Sequence, residues 1–109
     1  MNEKSTIVII ERLKTGLLYK DKIGRLTYNL PDYTSEDYGK IKKQIKNNFK
    51  LYPYFIEYSD FDDIFQLFFN GLKRISIEWN HWEGFSVVAK NARAENLVKN
   101  IGYFIESKI

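Results

Sequence analysis

Few residues in this 109-residue chain have side chains that could carry out catalysis. It contains a single histidine, His81, and no cysteine, so thiolate chemistry is excluded and a Ser-His-Asp triad would depend on one imidazole. The same counts exclude a metal site built from several histidines. No glycine-rich phosphate loop and no G-x-S-x-G elbow occurs. We therefore predict that the chain is not an enzyme and requires no cofactor.

Four carboxylates lie close together in the middle of the sequence: Glu57, Asp60, Asp62 and Asp63. Carboxylate oxygens are the ligands that hard cations prefer, but this spacing does not match a calcium loop, which needs acids at alternate positions around a glycine. Aspartates in the first turn of a helix cap its free N–H groups and complement its dipole. We therefore predict no metal site here.

Basic residues are concentrated on one side of a predicted helix. The lysines on that side are Lys40, Lys43, Lys46 and Lys50. Such a face could bind phosphates, and single-strand binders usually combine charge of this kind with exposed aromatic rings. The nearby rings of Tyr38, Phe49 and Tyr52 fall on the opposite, apolar stripe. A nucleic-acid accessory protein is therefore an alternative hypothesis, and nucleic acid is not the partner that we expect.

Aromatic residues are unusually abundant, with eight Tyr, eight Phe and two Trp making up 17% of the chain. A core of this size does not readily bury so many rings, and Trp and Tyr are frequent in binding hot spots. The predicted partner-binding residues are Trp82, His81, Glu83, Tyr54 and Tyr58. We expect a protein partner on this basis.

The N-terminal third is predicted to be mostly β-structure. The β-branched run at residues 6–10 favours a strand, although the spacing of Ile10 and Leu13 leaves a short helix over 6–13 as an alternative. Residues 17–20 and 25–30 are predicted to form a hairpin, because a turn sequence containing Gly24 separates them.

Two helices are predicted in the middle of the chain. Thr34 and Asp37 have the spacing of a capping box, and an apolar stripe with helical spacing runs from Tyr38 to Tyr52, before Pro53. Residues 54–58 are predicted as a short strand or extended link. A second helix is predicted from Ser59 through the Phe-rich segment, ended by Asn70-Gly71.

The C-terminal part is predicted to be a hairpin followed by a helix. Residues 72–90 alternate around an Asn80-to-Gly84 turn, and an apolar stripe indicates a helix from about Asn91. Gly102 in that helix suggests the close approach of another element. Together these elements predict a single domain, 1–109, of the α+β class: a mostly antiparallel sheet with about three helices packed on one face.

The tract from Ile75 to Phe85, a Trp-tipped hairpin followed by a C-terminal helix, resembles layouts seen among small bacterial immunity-type proteins. That resemblance implies a protein that binds and neutralises a cognate toxin without catalysis. It covers roughly residues 72–108. The net charge of +3 argues against a nuclease as the target, because inhibitors of nucleases are often acidic.

No stretch is long and apolar enough to predict a signal peptide or a membrane span, so we expect a cytoplasmic protein. The preference for Lys over Arg and the abundance of Ile and Asn indicate an AT-rich bacterial genome. We therefore predict a non-catalytic protein-binding domain, an immunity-like inhibitor being its most specific form. A small-molecule-binding protein or enzyme is the third hypothesis. Homo-oligomers are a further expectation, because the Phe-rich segment and the hairpin edge offer apolar surface.

Overall fold

The computed structural model describes residues 7–109, which form one antiparallel sheet of eight strands with two α-helices on one face. The strands are β1 (Val8–Arg12), β2 (Leu17–Lys20), β3 (Leu26–Leu30), β4 (Tyr52–Pro53), β5 (Tyr58–Ser59), β6 (Asp63–Asn70), β7 (Lys73–Asn80) and β8 (Gly84–Ala89). The helices are α1 (Ser35–Phe49) and α2 (Glu95–Lys108), the latter preceded by the 3-10 turn Ala92–Ala94. Across the sheet the order is β1-β2-β3-β8-β7-β6-β4, and β5 also pairs with β6.

The α+β class and the antiparallel sheet are confirmed, but residues 7–109 contain two helices and not about three. The predicted second helix is wrong, because its Phe-rich segment forms strand β6. Nearly every position of that segment is apolar, so its pattern does not distinguish a helical period from a strand period. Full antiparallel pairing with β7 decides for the strand. Asn70 and Gly71, predicted to end a helix, instead begin the β6–β7 hairpin turn.

The N-terminal strand prediction is confirmed by β1, and the helical alternative is wrong. Thr6, with which the predicted strand began, lies outside the described residues. Pairing of β1 with β2 extends the confirmed β2–β3 hairpin, so β1 forms one edge of the sheet. The strand is exposed along its whole length.

Helix α1 begins as the sequence predicts and ends earlier. The Thr34 side chain accepts from the Asp37 N–H while the Asp37 carboxylate accepts from the Thr34 N–H, which completes the capping box. Lys50, in a left-handed conformation with φ 55°, ends the helix before Pro53 can do so. Tyr52 therefore lies in strand β4 and not on the helical stripe.

The core lies between the helices and one face of the sheet, which we call the covered face. Its fully buried strand residues include Leu18, Tyr28, Phe68, Ile77 and Phe85. Neither helix within residues 7–109 has the length and apolar character needed to cross a bilayer.

Helix α2 packs closely on this face at Gly102. A Cβ on Gly102 would lie 2.9 Å from Cδ1 of Tyr28, which explains the glycine and confirms the predicted close approach. Glu106, one turn later, accepts hydrogen bonds from the Tyr28 hydroxyl (2.7 Å) and the Gly16 N–H (2.6 Å). The C-terminal helix is thereby joined to strand β3 and to the loop before β2.

Candidate interaction surface

The sheet has a second face that neither helix covers, which we call the open face. Successive residues of a strand point to opposite sides, so the burial of Phe68 against the helices directs Phe65, Leu67 and Phe69 to the open face. Cross-strand pairing brings residues of β4, β5 and β7 to the same side. The failed helix prediction concealed this surface, because it placed the same aromatic residues around a helix.

Five rings form what we call the aromatic cluster of the open face: Tyr52, Tyr54, Tyr58, Phe65 and Phe69. Tyr58 stacks on Phe65 with 5.1 Å between ring centroids, and Phe69 contacts Tyr52 at 5.8 Å and Tyr54 at 5.9 Å. Despite these contacts, Tyr52 is 58% exposed, Tyr58 47%, Tyr54 40% and Phe65 39%. Exposed rings arranged in pairs offer a large, rigid apolar area.

The end of the cluster around Phe69 already has a cation of its own. The Arg74 guanidinium lies over the rings of Phe69 (5.4 Å) and Tyr54 (5.6 Å). Its Nη1 also donates to the Gly71 carbonyl oxygen at 2.6 Å. Cation–π contacts and this hydrogen bond thus satisfy the arginine within the chain.

Beyond the other end of the cluster, the open face contains a cavity of about 380 Å³. Its wall includes Tyr19, Glu78, Glu83, Ser86 and Val88. Ser86 and Val88 are almost fully buried although they face away from the helices, so they form the floor of the cavity. The mixture of an aromatic ring, aliphatic groups and carboxylates suits a ligand that is both apolar and charged.

The charge in this cavity is predominantly negative near Tyr19. Burial raises the pKa of the Tyr19 hydroxyl, and the charges of Glu83, Asp21 and Glu78 raise it further, while Arg25 opposes them. Asp21 is engaged by Arg25, whose Nε lies 2.8 Å from its carboxylate. Burial would raise the pKa of Asp21, but hydrogen bonds from Arg25 and Ile23 hold it below the usual value.

The predicted partner-binding residues fall into two places. Trp82 is 74% exposed at the β7–β8 turn, with the His81 ring edge-on at 5.4 Å, while Glu83 of the same turn reaches the cavity wall. Tyr54 and Tyr58 belong to the aromatic cluster. Sequence reasoning did not find Phe65, Phe69 or Glu78 as members of the surface. Alternation along β6, had it been identified as a strand, was the available signal.

The turn that carries Trp82 is fixed by a side chain that accepts hydrogen bonds from its backbone, and by a glycine. Asn80 Oδ1 accepts from the N–H groups of Trp82 (3.0 Å) and Glu83 (2.7 Å). Gly84 follows with φ +79°, and a Cβ there would lie 2.5 Å from the Leu30 carbonyl oxygen. Only glycine fits this position. The turn between β7 and β8 thus has a defined shape, and it places Trp82 beyond the end of the sheet.

The four carboxylates near β5 do not cap a helix, as the sequence predicted, because the segment that follows them is strand β6. Asp60 Oδ1 accepts from the N–H groups of Asp62 and Asp63, both at 2.9 Å, and thereby closes the turn before β6. Glu57 forms an ion pair with Lys42 of α1. No three His, Asp or Glu side chains in residues 7–109 converge to hold a metal ion.

The lysine face lies in the helical layer and not on the open face. Its residues, Lys40, Lys43, Lys46 and Lys50, are exposed. Tyr38 on the opposite side of α1 is buried, and its hydroxyl donates to the Ile77 carbonyl oxygen at 3.0 Å. The Tyr38 ring is therefore not available for the base stacking that a single-strand binder uses.

Comparison of the chain with protein-family models, curated proteins and solved structures found no significant match. The function is therefore inferred from the geometry of the chain's own residues.

Proposed function

We propose that this chain is a non-catalytic protein-binding domain that recognises its partner through the open face. The observation that carries the proposal is the aromatic cluster, in which four rings remain 39–58% exposed on one side of the sheet. Contiguous apolar surface on a folded domain commonly marks an interaction site. Tyrosine is also favoured in hot spots, since its ring buries a large area at a small cost in side-chain entropy.

A toxin is the partner that the proposal favours, because the Trp-tipped hairpin resembles immunity-type proteins. Trp82 gives the surface a second contact point at the end of the sheet. The proposal includes action in the bacterial cytoplasm, where an immunity-type inhibitor would meet its toxin.

Two tyrosines of equal exposure allow a matched test. Tyr54 on the open face and Tyr103 on α2 are both 40% exposed. We expect Tyr54→Ala and Trp82→Ala to weaken partner binding by more than about 1 kcal/mol each, and Tyr103→Ala to leave it unchanged. The partner would be captured from the native host with the wild-type chain, identified by mass spectrometry, purified and titrated by calorimetry against each variant.

Equal affinity for Tyr54→Ala, Tyr103→Ala and wild type would remove the open face from the function. If no protein is retained, binding of an oligonucleotide should be measured at increasing salt. Steep salt dependence that is lost when Lys43 and Lys46 are replaced by Gln would favour the nucleic-acid alternative.

A further inference from the structure

One line of residues crosses the open face at right angles to the strands. From the edge inward, its directly paired members are Tyr58, Phe65, Glu78, Ser86 and Asn29. Neighbouring strands are about 4.8 Å apart, so the Tyr58–Phe65 stack lies one strand from Glu78 and two from the cavity floor at Ser86. An apolar contact area and a carboxylate-lined cavity are thus adjacent.

Two carboxylates of the cavity, Glu78 and Glu83, differ from the others in the fold. Asp21, Glu57 and Glu95 pair with Arg25, Lys42 and Lys20, respectively. None of the ion pairs formed within residues 7–109 involves Glu78 or Glu83, although both line the cavity. Two cations are also in the wall: Lys22 lies on the exposed β2–β3 turn, and Arg25 is held by Asp21.

The two ends of the aromatic cluster therefore differ in the charge of the group beside them. Arg74 supplies a cation to the rings at the Phe69 end. At the Phe65 end the neighbouring charged group on β7 is Glu78, which is half-buried beside the ring and takes part in none of the ion pairs formed within residues 7–109. A partner that covers the open face would desolvate this carboxylate, which is unfavourable unless the partner brings a positive charge.

We propose that the partner inserts a Lys or Arg side chain into this cavity while an adjacent apolar side chain packs on the Tyr58–Phe65 stack. This inference rests on the proposed function, since it specifies the chemistry of the partner that the open face binds. A basic side chain suits the cavity because its aliphatic stem can lie against Tyr19 and Val88 while its charged end reaches Glu78 and Glu83. Charge-assisted hydrogen bonds to the carboxylates would fix its position.

The spacing along the line also limits the partner's sequence. In an extended segment, residues i and i+2 point to the same side and lie about 6.7 Å apart. That distance falls between the one-strand step of about 4.8 Å from Phe65 to Glu78 and the two-strand step of about 9.6 Å to Ser86. The partner segment is therefore of the form apolar-x-basic, lying across the strands.

Short peptides test this directly with the full-length protein. The probes are acetyl-Phe-Ser-Arg-amide and its citrulline analogue, which has nearly the same shape but no charge. We expect the arginine peptide to shift the backbone NMR signals of Tyr19, Glu78 and Ser86 in a saturable manner. The citrulline peptide should bind at least about fivefold more weakly.

A matched pair of variants assigns that preference to the cavity. Glu78→Gln removes one charge from the cavity, whereas Glu36→Gln removes one from the exposed first turn of α1. We expect Glu78→Gln to abolish the preference for arginine over citrulline and Glu36→Gln to retain it. Unchanged spectra away from the substituted site would show that both variants are folded.

Absence of peptide binding, equal binding of the two peptides, or a preference that survives Glu78→Gln would overturn the cavity assignment. These outcomes are distinguishable from failure of the proposed function, which is decided by the calorimetric comparison of Tyr54→Ala and Tyr103→Ala. If the cavity discriminates the two peptides but Tyr54→Ala leaves partner affinity unchanged, the cavity is retained as a site for a basic side chain and the aromatic cluster is rejected as the main partner surface.

Discussion

Strand β6 contributes phenylalanines to both faces of the sheet, and their surroundings differ sharply. Phe68 is 1% exposed beneath the helices, whereas Phe65, three positions earlier, is 39% exposed on the open face. The same residue type in the same strand thus belongs to the core on one side and to a surface on the other. Because the helices cover only one face, the rings on the other face remain exposed to solvent.

The largest expected effect comes from truncating the two phenylalanines separately. Phe68→Ala should lower the free energy of unfolding by about 3–5 kcal/mol, because it opens a cavity in the core. Phe65→Ala should lower it by only about 1 kcal/mol, since its ring is already partly solvated. Urea denaturation of both variants measures the difference. Similar losses would mean that the open face contributes to stability as the covered face does.

Glycines in the two helices offer a second comparison, between close packing and open surface. Gly102→Ala should destabilise the fold by about 1–2 kcal/mol, because the new methyl group would press on the Tyr28 ring. Gly39→Ala in α1 has nothing within 4 Å and should stabilise by about 0.5–1 kcal/mol through helix propensity. Opposite signs in thermal or urea unfolding are the expected result, and a gain from Gly102→Ala would contradict the packing.

Alkaline pH should lower the free energy of unfolding, because two buried tyrosines of the core would have to ionise. Burial, together with the hydrogen bond to Glu106, raises the pKa of Tyr28 above its usual value, and burial raises the pKa of Tyr38. The folded state therefore favours the neutral phenols. Their contribution to stability is complete below the unfolded pKa of about 10 and is lost as pH rises above it.

Above pH 10, each of these tyrosines should lower the free energy of unfolding by up to about 1.4 kcal/mol per pH unit. Urea midpoints at pH 8, 10 and 11, with tyrosinate absorbance as a second signal, provide the measurement. Tyr28→Phe should show a shallower decline than wild type. A decline as steep in that variant would assign the alkaline sensitivity to other groups.

The partner experiments compare the two faces by the effect of their variants on binding, whereas the preceding experiments measure the effect on stability. Tyr54 against Tyr103 tests whether the open face is the contact surface, and the arginine and citrulline peptides test what its cavity accepts. Variants that change binding should scarcely change unfolding, and core variants should do the reverse.

Local patterns were sufficient for the elements whose polar and apolar residues alternate clearly. Thr34 and Asp37 identify the start of α1 because a capping box depends only on residues three positions apart. The β7–β8 hairpin follows from alternation on both sides of a polar turn. Gly102 indicated a close approach, although the sequence did not identify Tyr28 as the neighbour.

The sequence alone determined the α+β class, the antiparallel hairpins, helices α1 and α2 and the excess of aromatic side chains, because these depend on composition and on neighbours along the chain. Tertiary structure decided that the Phe-rich segment is a strand, since only pairing with β7 distinguishes the two periods in a run whose positions are nearly all apolar. It also decided which rings share a face and that Phe65 lies opposite Glu78. Such juxtapositions are set by strand register between distant segments, which no local pattern encodes.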